Sequence, residues 1–353
     1  MTINTADLRI TAARPLITPA VLARELPLNQ AGAALIREAR NTTARIMAGD
    51  DPRLLVIVGP CSIHDVAAAR DYATRFRAGM ERFADALFPV MRVYFEKPRT
   101  VVGWKGLIND PDLDGSFQIN RGLHLARQLL LDITALGLPV ASEFLDTTFG
   151  QYYAELVSFG AIGARTVESQ IHRELASGLS MPVGIKNRTD GNIEVAIDAL
   201  RAVRHPHWFP SLTREGTPAV FQSSGNDQTC LILRGGKVSG PNYHPESVQH
   251  IGGLLQKAGL ADTLIIDCSH GNSGADPERQ EAVVQSVIHQ IDAGNHSIRG
   301  IMMESHLMGG RQVLTPGKTP VYGQSITDGC LALDQTLVLL EQLAAAVRDV
   351  KKK

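Results

Sequence analysis

Apolar residues recur along the chain in short runs, and helical patterns lie between those runs. The first run, Leu54 to Val58, leads directly into Gly59, Pro60 and Cys61. Short apolar runs that end at glycine or proline are typical of strands buried on both faces of a parallel sheet. Seven further runs follow, near residues 90–95, 138–142, 159–164, 181–185, 230–233, 263–267 and 298–303.

The segments between these runs favour helices. After the first run, Asp65 can cap a helix in which Tyr72, Phe76 and Met80 recur at helical spacing, and Asp276 before Pro277 can open a later helix. Eight strand and helix repeats predict an α/β fold of the (β/α)8 TIM barrel type. An open doubly wound sheet is the alternative, and it is disfavoured because no Gly-rich turn is followed by a ribose-binding acid.

Two segments fall outside this repeat. Residues 1–51 form an N-terminal extension with a helical pattern from Ala33 to Met47, and residues 52–353 form the predicted barrel. The stretch from His205 to Gln228 is longer than an ordinary connection, and Ala219 to Ser223 is predicted as a strand of a β-hairpin added before the sixth barrel strand.

The composition and charge of the chain disfavour several classes of function. The 353 residues are 44% hydrophobic, which suffices for one large core, and the formal net charge of −1 gives no general attraction to nucleic acid or membranes. The sequence shows no signal-peptide pattern and no apolar run near the roughly 20 residues that span a bilayer. The four cysteines lack CxxC spacing. A cytoplasmic protein with reduced thiols, which binds neither nucleic acid nor membrane, is therefore predicted.

Five cations stand at or just after four of the strand ends. They are Arg92 with Lys97, then Arg165, Lys186 and Arg234. Strand ends converge at the mouth of a barrel, and clustered cations are costly there without an anion to neutralise them. The pattern predicts a substrate with phosphate and carboxylate groups, although any one of these side chains could alone be a solvated surface residue. Lys186 could instead be a Schiff-base nucleophile.

Side chains of the metal-ligand type stand at other strand ends, and a further one, Asp328, lies beyond the eighth strand, where its residue type alone does not single it out. Cys61, His270, Glu304 and Asp328 offer a thiolate, an imidazole and two carboxylates, a set that suits a divalent transition metal better than calcium. Each has an ordinary alternative, since a buried cysteine is often a small core residue and Asp328 could cap the last helix. Residue types alone leave this choice open.

Eight motifs in order identify a family resemblance. The chain resembles the class I 3-deoxy-D-arabino-heptulosonate-7-phosphate (DAHP) synthases of the feedback-regulated type over essentially its whole length. The motifs are GPCSIHD at 59–65, RVYFEKPRT at 92–100, GWKGLINDP at 103–111, GARTVESQ at 163–170, ILRGGK at 232–237, IDCSHGNS at 266–273, ESHL at 304–307 and SITDGC at 325–330.

The resemblance implies that phosphoenolpyruvate condenses with erythrose 4-phosphate, at the start of aromatic amino acid biosynthesis, with help from a divalent Mn, Fe, Co or Zn ion. By position, Cys61, His270, Glu304 and Asp328 would be metal ligands. The groups that bind phosphoenolpyruvate would be Arg92, Lys97, Arg165, Lys186 and Arg234, with Glu143 balancing charge or holding water. Arg99 and Thr100 would hold the erythrose phosphate.

The resemblance also implies regulation by an aromatic amino acid and assembly into a homodimer or homotetramer. The effector would bind away from the barrel mouth, between the N-terminal extension and the added hairpin, and phenylalanine is the expected effector. The matching positions are Asp7, Ile10, Leu175, Leu179, Ser180, Phe209 and Ser211.

Several residues depart from the family pattern. Arg188 stands where a glycine is common, so it could add to the anion-binding charge, crowd the site or strain the backbone. Val101 and Val167 replace threonines, Phe221 is bulkier than the expected aliphatic residue, and Val238 to Gly240 lengthen a loop. Two rival functions remain: a synthase that uses another aldose phosphate such as arabinose 5-phosphate, and a catalytically silent regulatory paralogue.

Overall fold

A computed structural model describes residues 5–99, 101–315 and 318–351, and it contains a closed barrel of eight parallel strands. Each strand pairs with its neighbours, and the last one returns to the first, with Leu55 opposite Gly300. The predicted (β/α)8 barrel is therefore confirmed. The barrel strands are β1 Leu54–Gly59, β2 Leu87–Arg92, β3 Val140–Glu143, β4 Phe159–Ile162, β5 Val183–Lys186, β8 Thr229–Leu233, β9 Leu264–Asp267 and β10 Ile298–His306.

Eight helices follow the eight barrel strands and surround them. They are α3 Val66–Met80, α4 Ile119–Ala135, α5 Gly150–Tyr153, α6 Gln170–Gly178, α7 Glu194–Val203, α8 Pro245–Lys257, α9 Gln280–Asp292 and α10 Leu333–Val350. Asp65 caps α3 as predicted, because its carboxylate accepts hydrogen bonds from the backbone N–H groups of Ala67 and Ala68 at 2.8 and 3.0 Å. In the described ranges, no helix is both long and apolar enough to cross a membrane.

The side chains that point into the barrel are apolar at its base and polar at its mouth. Leu55 and Ile57 of β1 point into the barrel, where they meet Val90, Ile232 and residues of the other strands in one buried cluster. Because successive side chains of a strand point to opposite faces, the next inward position after Val90 is Arg92, and the next after Ile232 is Arg234. The same alternation that fills the base thus carries charges into the mouth.

The N-terminal extension closes the base of the barrel. It contains α1 Pro19–Glu25 and α2 Gln30–Ala48, which includes the helix predicted from Ala33 to Met47. Ile46 and Met47 are buried against the inward-facing strand residues, and the Thr263 hydroxyl donates to the Met47 carbonyl at 3.0 Å. Helix α2 is consequently part of the barrel core, while the regulatory role of residues 1–51 stays a prediction.

The added hairpin is present and lies between α7 and β8. Its strands, β6 Trp208–Leu212 and β7 Pro218–Gln222, pair in antiparallel register with Phe209 opposite Phe221. The hairpin is attached to α6 because the Ser223 hydroxyl lies 2.7 Å from that of Ser177. A short strand, β11 Leu331–Ala332, pairs with the end of β10 outside the barrel.

Candidate active site at the barrel mouth

The side chains at the carboxyl ends of the strands line one small cavity of about 70 Å3. All five predicted cations contribute to it, together with Glu143 and two of the predicted metal ligands. The lining residues are Arg92, Tyr94, Lys97, Pro98, Glu143, Gly163, Ala164, Arg165, Lys186, Thr189, Arg234, His270 and Asp328. Residues far apart in sequence therefore meet at this mouth, as the barrel topology predicts.

Three of the four predicted metal ligands lie close enough together to hold one ion. Donor atoms of Cys61, Glu304 and Asp328 all lie within 4.8 Å of one another. The Lys97 ammonium contacts two of them, at 2.8 Å from the Cys61 sulfur and 2.9 Å from a carboxylate oxygen of Asp328. Burial, together with the charge of Glu304, raises the pKa of the Cys61 thiol to about 11, and Lys97 opposes this shift.

His270 lies at the edge of this group. Its Nε2 is 3.7 Å from a carboxylate oxygen of Glu304, and its Nδ1 is 3.0 Å from Asp267. A proton on Nδ1 that points to a carboxylate leaves Nε2 as the metal-binding atom, which is the arrangement usual for histidine ligands. His270 holds this orientation with a positive φ of 58°, a conformation that is uncommon outside glycine.

Asp328 does not cap the last helix. Helix α10 begins at Leu333 and has Ala332 at its N-cap, so the capping alternative is wrong. The Asp328 side chain is half exposed and faces Lys97 instead. Burial acts to raise the pKa of Asp328, but the charge and hydrogen bond of Lys97 outweigh it and hold that pKa well below its usual range.

Arg92 lies beneath the cavity and supports the Glu304 carboxylate. Its guanidinium donates to a Glu304 oxygen at 3.0 Å, and both side chains are only 2% exposed. It also donates to the backbone carbonyls of Pro60 and Cys61, and it stacks over the Tyr94 ring at 3.7 Å from the ring centre. These contacts fix the loop that carries Cys61 relative to β10.

Lys186 forms a buried ion pair with a residue to which the sequence assigned no role. Its ammonium lies 2.8 Å from Asp267, and the two side chains are 4% and 0% exposed. Burial alone would raise the pKa of Asp267, but Lys186 and His270 hold that pKa well below its ordinary value. Asp267 therefore stays ionised between a cation and the candidate ligand His270. Its position at a strand end was the only sequence signal for this role.

Arg165 and Arg234 lack such partners. Within the described part of the chain, no carboxylate oxygen lies within 4.0 Å of either guanidinium, and Arg234 is only 9% exposed. Burial lowers the pKa of Arg234, Asp267 opposes this shift, and the positive charge of Arg165 adds to it. A buried guanidinium that faces a second cation is costly unless an anion binds between them.

Three buried asparagines position the ends of β5, β8 and β9. The Asn187 side chain accepts a hydrogen bond from the Arg234 backbone N–H at 2.9 Å, and Asn242 accepts one from Gly235 at 2.8 Å. The Asn272 amide donates to the backbone carbonyls of Leu233 and Asp267. Their residue type gave no signal in the sequence, because asparagines are common in loops.

The predicted erythrose phosphate residues lie beyond the cavity. Arg99 is exposed and donates to the Trp104 carbonyl at 2.8 Å, and it does not line the cavity. Thr100 lies outside the described residues. The structure therefore places Arg99 on the loop that follows Lys97, and its contact with a substrate stays a prediction.

Arg188 behaves differently from what its sequence position suggested. It has no positive φ, and its side chain does not line the cavity, so backbone strain and crowding of the site are both ruled out. Its guanidinium pairs with Glu168 and Asp190, each at 2.7 Å, rather than adding an unpaired charge to the mouth. Of the two valine replacements, Val101 is exposed and Val167 is buried.

A second cavity, of about 860 Å3, lies between the hairpin and α6. It is lined by Leu175, Leu179, Ser180, Phe209 and Ser211, which are five of the seven predicted effector residues. Phe221 also lines it, with its ring 6.2 Å from that of Phe209 in an edge-to-face arrangement. Asp7 and Ile10 are exposed and do not line this cavity within one chain.

Fold and site together define a class: a (β/α)8 barrel enzyme whose mouth combines an anion-binding cation cluster with a group of metal-type ligands. The model of the DAHP synthetase I family matches residues 31–341. The Phe-sensitive phospho-2-dehydro-3-deoxyheptonate aldolase of Escherichia coli K12 is 53% identical over 342 residues, or 97% of each chain.

Further relatives agree with this match. The Trp-sensitive aldolase of Enterobacter agglomerans is 52% identical over 98% of each chain. A solved structure of the aldolase from Francisella tularensis SCHU S4 aligns with a TM-score of 0.94 and 49% identity, covering 96% of this chain and 98% of that one. The chain belongs to the DAHP synthetase I family.

Proposed function

We infer that the protein is a DAHP synthase that condenses phosphoenolpyruvate with D-erythrose 4-phosphate and water to give DAHP and phosphate, the first step of the shikimate pathway. The observation that carries this inference is the pair Arg165 and Arg234. Both line the mouth cavity beside Lys97 and Lys186, and in the described ranges neither has a carboxylate partner. Family membership and relatives of about 50% identity support the same activity.

Phosphoenolpyruvate is the anion that this cluster is proposed to bind. Arg165 and Arg234 would take its phosphate, because their guanidinium groups match phosphate oxygens geometrically and are not neutralised otherwise. Lys97, Lys186 and Arg92 would face its carboxylate and reacting carbons, and Glu143 would hold water on the same side of the cavity. Arg99 and Thr100 would then hold the phosphate of the second substrate.

Cys61, His270, Glu304 and Asp328 fit a divalent metal ion. The donor set of thiolate, imidazole and carboxylates suits Mn, Fe, Co or Zn, and three of the four donors already lie within 4.8 Å. When bound, such an ion would polarise the aldehyde oxygen of erythrose 4-phosphate. Asp267 would contribute by holding His270 with Nε2 free, and Arg92 by holding the Glu304 carboxylate in place.

The chemistry that these residues must support joins two anions. C3 of phosphoenolpyruvate attacks the aldehyde carbon, water adds at C2, and phosphate leaves as the carbon–oxygen bond breaks. The cations of the mouth make this possible because they hold both substrates together in spite of their mutual repulsion. Atoms balance, since one water enters and one phosphate leaves.

An acceptor assay tests the assignment. With wild-type protein and a divalent metal, erythrose 4-phosphate should cause loss of the ultraviolet absorbance of phosphoenolpyruvate, and arabinose 5-phosphate should cause much less. A preference for arabinose 5-phosphate would support the rival synthase. Complete inactivity with Mn, Fe, Co and Zn, together with binding of phenylalanine or tyrosine, would support the silent paralogue.

The Schiff-base alternative is disfavoured by the charge on Lys186. Its ammonium is paired with buried Asp267 at 2.8 Å, whereas an aldolase lysine needs a neutral amine. Treatment with borohydride in the presence of substrates should leave no carbon attached to Lys186. A covalent adduct at that residue would contradict the proposed role as an anion anchor.

Metal dependence is tested by chelation. Removal of the ion should abolish turnover, and added Mn, Fe, Co or Zn should restore it in the wild type but not in Cys61→Ala. Cys230→Ala is a matched control, because Cys230 is also buried but lies in the apolar base of the barrel. Full activity of Cys61→Ala would refute the ligand assignment.

The hairpin cavity is proposed to bind the aromatic amino acid effector. Five predicted effector residues line it, and Arg40, Glu155 and Arg214 supply charges for an amino acid's ammonium and carboxylate. Close relatives are named Phe-sensitive and Trp-sensitive, and phenylalanine is the expected effector here. Inhibition curves with phenylalanine, tryptophan and tyrosine would identify it. The cytoplasmic location and the homodimeric or homotetrameric state stay predictions.

A further inference from the structure

Arg188 joins two neighbouring loops of the barrel mouth. One guanidinium nitrogen donates to Glu168 on the loop after β4, and another donates to Asp190 on the loop after β5, each at 2.7 Å. The first loop carries Arg165, and the second carries Thr189, which lines the mouth cavity. Arg188, Glu168 and Asp190 together form the Arg188 clamp.

The clamp continues into a third loop through the backbone. The Thr189 carbonyl accepts from the Lys237 N–H at 2.9 Å, and the Asp190 carbonyl accepts from the N–H groups of Val238 and Ser239 at 3.2 and 3.1 Å. Gly191 is packed so closely against Ser239 that a Cβ there would lie 1.8 Å from the Ser239 hydroxyl. The lengthened segment Val238 to Gly240 therefore rests directly on the loop that holds Arg188.

These connections oppose a repulsion within the site. Arg165 and Arg234 are carried by the first and third of the three loops, and neither is paired with a carboxylate among the described residues. Two like charges facing one cavity tend to separate before an anion binds. The loop with Arg165 is also held by the Arg173 side chain, which donates to the Val167 carbonyl at 2.9 Å.

We propose that Arg188 is a positioning residue that holds the loop of Arg165 against the loops of Lys186 and Arg234, and so preorganises the binding site for the phosphate of phosphoenolpyruvate. The proposal rests on the function proposed above. Arg188 is not proposed to bind the substrate itself, because its guanidinium pairs with two carboxylates and does not line the cavity. Its effect is on the entropy of ordering Arg165 when the anion binds.

The test compares four variants and one control variant with the wild type. Arg188→Gln and Glu168→Gln each remove the ionic link between the loops while keeping a polar side chain, their double variant tests whether they act together, and Arg188→Lys keeps the charge. Arg201→Gln is the matched control, since Arg201 forms an exposed pair with Asp198 on α7 at 3.9 Å. Melting temperatures establish that each variant is folded.

Two readouts are needed: steady-state kinetics of condensation, and the dissociation constant of phosphoenolpyruvate alone, measured by calorimetry. Arg188→Gln and Glu168→Gln should each raise KM and the dissociation constant roughly two- to fivefold, the range expected for loss of partly exposed charge pairs, with kcat nearly unchanged. The double variant should bind phosphoenolpyruvate no more weakly than Arg188→Gln does. Arg188→Lys should recover part of the wild-type affinity. Arg201→Gln should match the wild type.

Unchanged phosphoenolpyruvate affinity in folded Arg188→Gln, or an equal loss in Arg201→Gln, would overturn the proposal. Strictly additive effects of Arg188→Gln and Glu168→Gln would also overturn it, because the interaction between these two residues can be lost only once. The two proposals fail separately. If the wild type bound phosphoenolpyruvate but did not condense it with erythrose 4-phosphate, the proposed function would fall while the calorimetric comparison still decided the role of Arg188.

Discussion

At the barrel mouth, individual buried carboxylates neutralise individual cations. Asp267 neutralises Lys186 and orients His270, while Glu304 pairs with Arg92. The pairs that include Asp267 and Glu304 are almost completely buried, so neither charge can be compensated by water if its partner is removed. The cations of the mouth were predictable because they end apolar runs, but their carboxylate partners were not, since each pairing joins different strands.

The substitution Asp267→Asn should be costly. It leaves the Lys186 ammonium buried without a counter-charge, so the free energy of unfolding should fall by about 3–5 kcal/mol and condensation should be largely lost. Urea unfolding and the initial rate of phosphoenolpyruvate loss measure these effects. Asp198→Asn, at an exposed helix position, should change the free energy of unfolding by less than about 0.5 kcal/mol. Equal stability of the two variants would contradict the account.

Glu96 should make stability depend on pH. Burial, with smaller contributions from the charges of Asp146 and Glu143, raises its pKa from the ordinary 4.5 to about 8. The folded protein therefore binds the Glu96 proton more tightly than the unfolded chain does. This proton stabilises the fold below pH 4.5, and the stabilisation is lost as pH rises towards 8, at up to about 1.4 kcal/mol per pH unit.

Urea unfolding at several pH values between 5 and 8 checks this sign. Glu96→Gln should unfold with a smaller loss of stability across that range than the wild type, because its amide does not titrate. Glu246→Gln, at an exposed position in the first turn of α8, should keep the wild-type slope. Identical slopes for the wild type and Glu96→Gln would show that the carboxyl of Glu96 is not perturbed in this way.

Among the elements, the hairpin is separable from the barrel while α2 is not. Among the strands of the described residues, β6 and β7 of the hairpin pair only with each other, and the backbone N–H of Ser223 donates to the carbonyl of His207 at 2.9 Å across the base of the hairpin. Helix α2 instead places Ile46 and Met47 among the inward-facing strand residues. The sequence predicted both segments, but periodicity could not reveal that α2 fills the base of the barrel.

Replacing residues 208–222 by two glycines should uncouple regulation from catalysis. The ends of the hairpin already meet at its base, so a short turn can close the gap without moving β8. Condensation should continue at a rate close to that of the wild type, while inhibition by the aromatic effector should disappear. Persistent inhibition in this variant would place the effector site elsewhere.

Shortening a buried side chain of α2 should instead destabilise the whole barrel. Ile46→Ala leaves a cavity at the base and should lower the free energy of unfolding by about 2–5 kcal/mol, with little change in the KM values. Ile10→Ala, at a position that is 64% exposed, is the control and should be nearly neutral. Equal effects of both substitutions on urea unfolding would mean that α2 does not belong to the barrel core.

At the scale of the whole molecule, the barrel was predictable and parts of its mouth were not. Eight apolar runs separated by helical patterns are enough to predict the closed sheet, because buried parallel strands need helices on their outer side. In such a barrel, side chains alternate between the two faces of each strand, and this alternation places Arg92 and Lys186 inside the mouth. The partners of Arg188 lie on separate loops, and only the folded chain brings Glu168 within 2.7 Å of it.

Product analysis tests the central claim most directly. Wild-type protein with a divalent metal, phosphoenolpyruvate and erythrose 4-phosphate should form one seven-carbon sugar acid phosphate and release one phosphate for each phosphoenolpyruvate consumed. Arg234→Gln, which removes one of the two unpaired cations of the mouth, should lose most of this turnover while remaining folded. Phosphate release without the seven-carbon product, or undiminished turnover in Arg234→Gln, would contradict the account.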